Sequence, residues 1–390
     1  MPDARRLSTI DILERLVSFD TTSCESNLPL IDWISGYLTA HGVPFRLSHD
    51  PTGLKANLHA TIGPGLAGGI ALSGHVDTVP VDGQRWNSDP FALRLADGRA
   101  YARGACDMKG FVASCLAAVP DIVAMDLRRP LHLFVSYDEE VDCGGARVLM
   151  EQARSDGSMP ALCIVGEPSG MQPIVAHKGR LAVRVEVKGR PGHSSRPAEG
   201  VNAIHAAAEA IGWIGREAAR LEREGRRVEG FLPAHSTIHV GLISGGTILN
   251  IIPEDASFEM EWRTVPGDDA FAELDRLRRH AAETIEPAMR HVSPEAGFRF
   301  LPLNELPPLA IEEDHPLVDL VRQCGGANAT GKVGYGTEAG IFQQNGIASI
   351  VCGPGDIAQA HQPDEWIALD QLAACDRFVR RVADTLTRAA

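Results

Sequence analysis

Two hydrophobic periods alternate along this chain, and the points where one replaces the other divide it into three stretches. Near the start, Ile10, Leu13, Leu16 and Val17 share one helical face behind Ser8, which can cap the helix with Asp11 three residues on. A second amphipathic segment runs from Leu28 to His41 and stops at Gly42. Short apolar runs then predict strands over 70–76, 131–137 and 162–165, with helices over 111–119 and 146–153 between them. Strands alternating with helices indicate an α/β domain with a largely parallel sheet.

After His177-Lys178-Gly179 the period changes to strict alternation: Leu181, Val183, Val185 and Val187 against Ala182, Arg184, Glu186 and Lys188. That is a strand with one wet face, from a sheet covered on one side only. A helix over 201–220, strands over 237–243 and 256–262, a helix over 268–286 and a strand near 298–301 complete the order βαββαβ, the split plan of a small ferredoxin-like α+β domain. The proline-rich 303–309 stretch reads as the return linker. The α/β pattern then resumes with a helix over 316–324, a Gly334-Tyr335-Gly336-Thr337-Glu338 turn, a strand over 348–352 and a helix over 369–386. The expected organisation is therefore an α/β domain over 1–179 and 304–390, interrupted by an inserted domain over 180–303.

At 390 residues the chain is long for one core, which agrees with two domains. A formal net charge of -14 argues against nucleic acid or an anionic membrane as a partner, because both need clustered Lys and Arg. No apolar run reaches membrane-spanning length, and Met1 to Ile10 carries no apolar stretch behind its arginines, so a signal peptide is not expected. Its 8 cysteines contain no Cys-x-x-Cys pair and read as reduced thiols, with the cytoplasm as the expected location.

Acidic residues and histidines end several of the apolar runs. His75 and Asp77 follow a strand two residues apart, so an extended backbone would project both side chains the same way, one as a ligand and the other orienting it. Asp107 precedes a helix; alone it is an ordinary N-cap, and in this company a carboxylate that could bridge two metals. Glu139 and Glu140 follow a buried strand, where adjacent carboxylates repel unless a cation compensates. One can bind metal while the other faces water. Glu167 ends another apolar run, and His361 lies in a polar loop that would otherwise hold a plain exposed histidine. Ligands of oxygen and imidazole without thiolate suit zinc, cobalt or manganese in a catalytic site. The set holds enough carboxylates for two ions, with one left over as a base for metal-assisted hydrolysis.

These residues, with Ser-Gly-His-Val-Asp-Thr-Val-Pro, Arg-Trp-Asn-Ser-Asp-Pro-Phe, Asp-Met-Lys-Gly-Phe, Val-Gly-Glu-Pro, Gly-His-Ser-Ser-Arg-Pro, Gly-Thr-Glu-Ala and Gln-Ala-His-Gln-Pro-Asp-Glu, resemble the M20 metallopeptidase family over nearly the whole chain. The resemblance implies a zinc-exopeptidase-like catalytic domain with an inserted lid and dimerisation domain. It implies two divalent ions, zinc with cobalt or manganese also accommodated: one on His75, Asp107 and Glu167, the other on Asp107, Glu140 and His361. Asp77 would orient His75, and Glu139 would be the general base. His193 would reach the active site of a second subunit and stabilise the oxyanion. Asn250 and Arg263 would hold the substrate carboxylate, and Glu338 would meet a cationic substrate side chain. Two departures stand out: Cys106 where the family more often has alanine, and an unusually apolar 245–250 segment.

The implied reaction is hydrolysis of an N-acyl amino acid, with N2-acetyl-L-ornithine the expected substrate in arginine biosynthesis. Acetylcitrulline, succinyl-diaminopimelate, other acyl amino acids and dipeptides remain open alternatives. A non-catalytic metal-stabilised scaffold would require a missing base or ligand, and none is missing.

Overall fold

A mostly apolar run suits a strand buried on both faces, and Ile70–His75 and Leu131–Ser136 are buried at every residue in the computed structural model, which describes residues 6–388. The arginine-containing N-terminal run therefore begins outside the described residues. The polypeptide divides into two compact units. One takes the described residues up to Ala176, then Leu309–Lys332 and Thr337 onward; the other takes His177–Pro308 and Val333–Gly336.

In the first unit, a nine-stranded sheet runs in the order Phe45–His49, Ala56–Ile62, Leu131–Ser136, Ile70–His75, Leu162–Pro168, Ala348–Gly353, Ile174–His177, Leu309–Ala310, with Gly331–Val333 beside Ile174–His177. The four strands from Leu131–Ser136 to Ala348–Gly353 are mutually parallel, in a register that sets His75 opposite Ser136 and Ile350 opposite Ile164. Their C-terminal ends therefore share one edge of the sheet, where open α/β sheets place their ligands. Thr9–Val17 and Leu369–Thr385 both pack on Gly110–Val123. Ser8 and Asp11 close a reciprocal capping box on the first of these helices.

Two antiparallel strands, Phe45–His49 and Ala56–Ile62, extend this sheet beyond the sequence expectation. All seven residues of the second are buried, polar ones included. His59 and His132 lie side by side there, Nε2 to Nδ1 at 2.9 Å, and His132 Nε2 lies 2.9 Å from the Gly68 carbonyl. With that nitrogen donating to the carbonyl, His132 Nδ1 accepts from His59, and both rings are neutral. Burial and the neighbouring His132 depress His59 to about 3, with Arg46 adding to the depression and Asp156 opposing it. Burial depresses His132 as well. A folded-state pKa below the unfolded value near 6.5 means that the unfolded chain binds the extra proton, so stability falls as pH drops below about 6.5, by up to about 1.4 kcal/mol per pH unit for His59 alone. Thermal midpoints between pH 7.5 and 5 should fall more steeply for the wild type than for His59→Gln. Parallel curves would remove this pair as a source of acid lability.

The second unit is a four-stranded antiparallel sheet ordered Thr237–Gly245, Asp255–Thr264, Gly179–Lys188, Gly297–Leu306. Helix Ala203–Glu224 packs on it, and Leu181, Val183, Val185 and Val187 join a separate core with Ala207, Ile214, Phe258 and Trp262. Two expectations change here. The 268–286 helix is broken into Ala270–His280, a wider turn over Ala281–Ile285, and Glu286–Val292, with Pro287 accommodated in the first turn of the last piece. The 303–309 linker is mostly strand, because Gly297–Leu306 runs through it with a register shift between Pro302 and Asn304. Proline is tolerated at such an irregularity on an edge strand. Among the described residues, no helix is long and apolar enough to cross a membrane. All eight cysteines are free, and only Cys24 is exposed.

Candidate metal centre

Three elements of the parallel sheet deliver side chains to one spot. His75 is the last residue of its strand, Glu167 is the next-to-last residue of Leu162–Pro168, and Glu139 and Glu140 follow Leu131–Ser136 by three and four residues. Asp107 arrives differently. It does not follow a sheet strand and is not a helix cap: its backbone is extended (φ -119°, ψ 96°) just ahead of Gly110–Val123.

The two oxygens of Asp107 diverge. Oδ1 lies 3.1 Å from His75 Nε2, and Oδ2 lies 3.3 Å from His361 Nε2. His361 Nε2 is also 3.0 Å from Glu140 Oε2, and His75 Nε2 is 3.5 Å from Glu167 Oε1. Ligand atoms of His75, Asp107 and Glu140 fall within 4.8 Å of one another, as do those of His75, Glu139 and Glu167. Glu167 Oε1 is buried with no hydrogen-bond partner. A buried unpartnered carboxylate oxygen is costly unless something positive meets it. An acceptor set of this kind, with one carboxylate facing two imidazoles, fits a pair of divalent cations.

The electrostatics point the same way. Burial first, then Asp107 and the other carboxylates, push Glu167 well above the usual carboxylate range. Glu139 is raised by burial and by Glu140 and Asp107, against the opposing pull of His75. Hydrogen bonds to Asp107 and Glu140 push His361 up to about 10. These are the shifts of a cluster of excess negative charge awaiting a cation.

Asp77 ties the half-site together. Its oxygens accept the backbone N–H groups of Glu139 (3.1 Å) and Glu140 (3.2 Å) and the Ser23 hydroxyl (2.8 Å). His75 Nδ1 lies 3.0 Å from the Asp77 carbonyl and 3.5 Å from its carboxylate, which leaves Nε2 for a metal. Close packing backs the strand ends: a Cβ on Gly166 would sit 2.0 Å from the Phe111 ring, so only glycine fits before Glu167.

The remaining candidates divide by unit. His193, Asn250 and Arg263 belong to the second unit. There His193 pairs with Ile251, and the Asn250 carbonyl accepts the Ser194 N–H at 3.0 Å. Ser195 N–H donates to His193 Nδ1 at 3.2 Å, so the neutral ring carries its proton on Nε2, exposed and free to donate. Arg263 is held by Glu261, Nε to Oε1 at 3.0 Å. Glu338 corrects its expectation: it is wholly buried at the start of Ala339–Gln344 and accepts the Ser73 hydroxyl at 3.1 Å, so it lies within the core and offers no surface to a substrate cation. Cys106 faces the Asp356 carbonyl and Gln359, and burial raises its thiol well above the ordinary range, which makes it a poor thiolate ligand. Sequence reading missed Ser23, Gln84, Arg103 and Glu365, none of which ends an apolar run.

A family model for peptidase family M20/M25/M40 matches residues 71–385. The chain is 39% identical over 348 residues to an acetylornithine deacetylase of Klebsiella pneumoniae (strain 342), covering 88% of this chain and 87% of the relative. It is 36% identical over 376 residues to an acetylornithine deacetylase of Myxococcus xanthus, covering 95% of each. Among solved structures, an M20 family metallo-carboxypeptidase of Sulfolobus solfataricus superposes with a TM-score of 0.76 at 17% identity, over 97% of this chain and 99% of that one. A dinuclear metal-binding M20 peptidase of Bacillus subtilis superposes with a TM-score of 0.66 at 16% identity, over 97% of each. With its converging carboxylates and imidazoles carried on that shared fold, the chain belongs to peptidase family M20/M25/M40.

Proposed function

We propose that this chain is a dinuclear metal-dependent amidohydrolase that converts N2-acetyl-L-ornithine to L-ornithine and acetate, in arginine biosynthesis and in the cytoplasm. The observation that carries the chemistry is Asp107, whose two oxygens face two different imidazoles, with Glu139 in the same cluster. The substrate follows from the two bacterial deacetylases, which match over most of their length.

In this reading His75, Asp107 and Glu167 hold one ion, and Asp107, Glu140 and His361 the other, with zinc the expected metal. When bound, the ions supply Lewis-acid polarisation of the acetyl carbonyl and acidify the attacking water. Glu139 takes that water's proton as the oxygen attacks, then delivers it to the departing α-amine. Asp77 fixes the Glu139–Glu140 turn through the two backbone N–H groups it accepts. His193 Nε2–H, contributed by a second copy of the chain, donates to the developing oxyanion. Asn250 and Arg263 meet the substrate carboxylate, Arg263 by sharing its guanidinium with Glu261.

Amine release from acetylornithine, acetylcitrulline, succinyl-diaminopimelate and acetyl-methionine, after chelation and with zinc or cobalt restored, tests the reading. Metal-dependent turnover fastest on acetylornithine supports it. A different preferred substrate keeps the site and discards the pathway, and no turnover with metal bound discards the enzyme.

A homodimer through the second unit belongs to the same proposal. Thr237–Gly245 is an edge strand there, and Leu242 and Ile243 on it are 64% and 60% exposed, with Leu249 at 98%. An exposed apolar sheet edge invites pairing, and an isologous two-fold interface satisfies it with the same strand of a second copy. Leu242→Lys should therefore sediment as a monomer at micromolar concentration and lose activity with dimerisation, since His193 is required in trans. An active monomer would remove the role of the second copy.

A further inference from the structure

Two sequence segments characteristic of the chain, Arg85-Trp86-Asn87 and Gln362-Pro363-Asp364-Glu365, hold no candidate ligand, yet they are fastened to each other around His361. Asn87 N–H donates to Asp364 Oδ1 at 2.9 Å, and its side-chain amide donates to Oδ2 at 2.5 Å. Trp86 Nε1 donates to Gln84 Oε1 at 3.1 Å, and Arg103 donates to the same oxygen at 2.5 Å. The Gln84 side-chain amide donates to the His361 carbonyl at 3.0 Å.

Arg103 turns its other arm inward. With its side chain 1% exposed, it donates to Glu365 Oε2 at 2.7 Å; Glu365 is equally buried. Glu365 Oε1 accepts the backbone N–H groups of Cys106 (2.9 Å) and Asp107 (3.1 Å). One polar chain thus runs from the backbone of Asp107 through Glu365, Arg103 and Gln84 to the backbone of His361.

His361 needs such a hold. It sits in a loop at φ 63°, a left-handed conformation that costs a non-glycine residue free energy, and its side chain is 49% exposed. Packing therefore does little to fix it. Asp107 is buried, and its backbone N–H is held by Glu365.

We propose that Gln84, Arg103 and Glu365 are positioning residues that preset His361 and Asp107 as a pair, and that Gln84 selectively sets the affinity of the ion that uses His361. The inference rests on the dinuclear reading above. Groups that orient ligands from behind typically contribute about 10–100-fold in metal affinity. Gln84 bonds directly to the His361 backbone and reaches Asp107 only through Arg103 and Glu365, so its loss falls chiefly on the ion that uses His361.

The test is zinc binding rather than turnover. Chelator-stripped full-length protein is titrated with zinc against a competing indicator, and with cobalt by its visible absorption. Wild type should take up two equivalents. Gln84→Met keeps volume and removes the amide, and should weaken one equivalent about 10–100-fold while the other stays within about twofold. Asn87→Ala, which loosens the same strap further out, serves if Gln84→Met is insoluble and should weaken the same equivalent. Two equivalents of unchanged affinity in the variants, or equal weakening of both, overturns the inference alone. Fewer than two equivalents in wild type overturns the dinuclear reading itself.

Discussion

Glu139→Gln should yield a folded protein that still binds two ions and turns over acetylornithine about 10²–10⁴-fold more slowly, the range that general acid–base catalysis contributes. The change is isosteric and leaves the backbone N–H groups of Glu139 and Glu140 on Asp77. It also removes one buried negative charge from a cluster in which Glu140, Asp107 and Glu338 repel it. The apoprotein should therefore be no less stable than wild type, and the deficit should fall on kcat with KM little changed. Glu140→Gln, one residue away, should behave oppositely. Glu140 contacts His361 at 3.0 Å, so its loss should appear first as weakened metal uptake, restored in part by excess zinc. Steady-state kinetics with metal analysis of both variants makes the comparison. If the two lose the same function in the same proportion, Glu139 is a ligand and the base lies elsewhere.

The arrival of two adjacent glutamates at this edge of the sheet is legible in sequence, because a buried strand before them fixes where they emerge. The parallel core was legible for a related reason. Ile70–His75, Leu131–Ser136 and Ala348–Gly353 are mostly apolar runs, broken only by single residues such as Ser73, His132 and Ser349, and burial on both faces favours such runs. Ala56–Ile62 escaped because Asn57, His59 and Thr61 alternate with apolar residues and suggest a solvated face. Here that face is buried and internally paired: Asn57 donates to the Gly145 carbonyl at 2.9 Å, and His59 meets His132. Hydrophobic pattern registers burial only when burial is apolar. The same blindness hid Arg103 and Glu365. Each resembles an ordinary surface charge in sequence, and only the return of the chain 262 residues later brings them together. Glu338 failed in the other direction, since an acidic residue in a glycine-rich turn suggests exposure whereas this one is sealed under Ser73.

Glu365→Ala should be among the most damaging single substitutions outside the ligands. It leaves the Arg103 guanidinium buried with Gln84 Oε1 and the more distant Gln362 carbonyl, and it strips the N–H groups of Cys106 and Asp107 of their acceptor. Breaking a buried ion pair costs about 3–5 kcal/mol, a large share of the roughly 5–15 kcal/mol that holds a domain folded. Glu365→Gln should cost less, since its amide oxygen still accepts both backbone N–H groups. A double variant, Arg103→Met with Glu365→Leu, separates the two contributions. Replacing a whole buried pair by packed apolar side chains is often neutral in stability, so the double variant should recover most of the lost thermal midpoint. It restores no acceptor for Asp107 N–H, so metal affinity should stay low while stability returns. Thermal melts of the chelated proteins, read beside zinc titrations, resolve the two. Joint recovery of stability and affinity would mean that Glu365 acts only by holding the loop folded. Recovery of stability alone assigns it the orientation of Asp107, the carboxylate that faces both histidines.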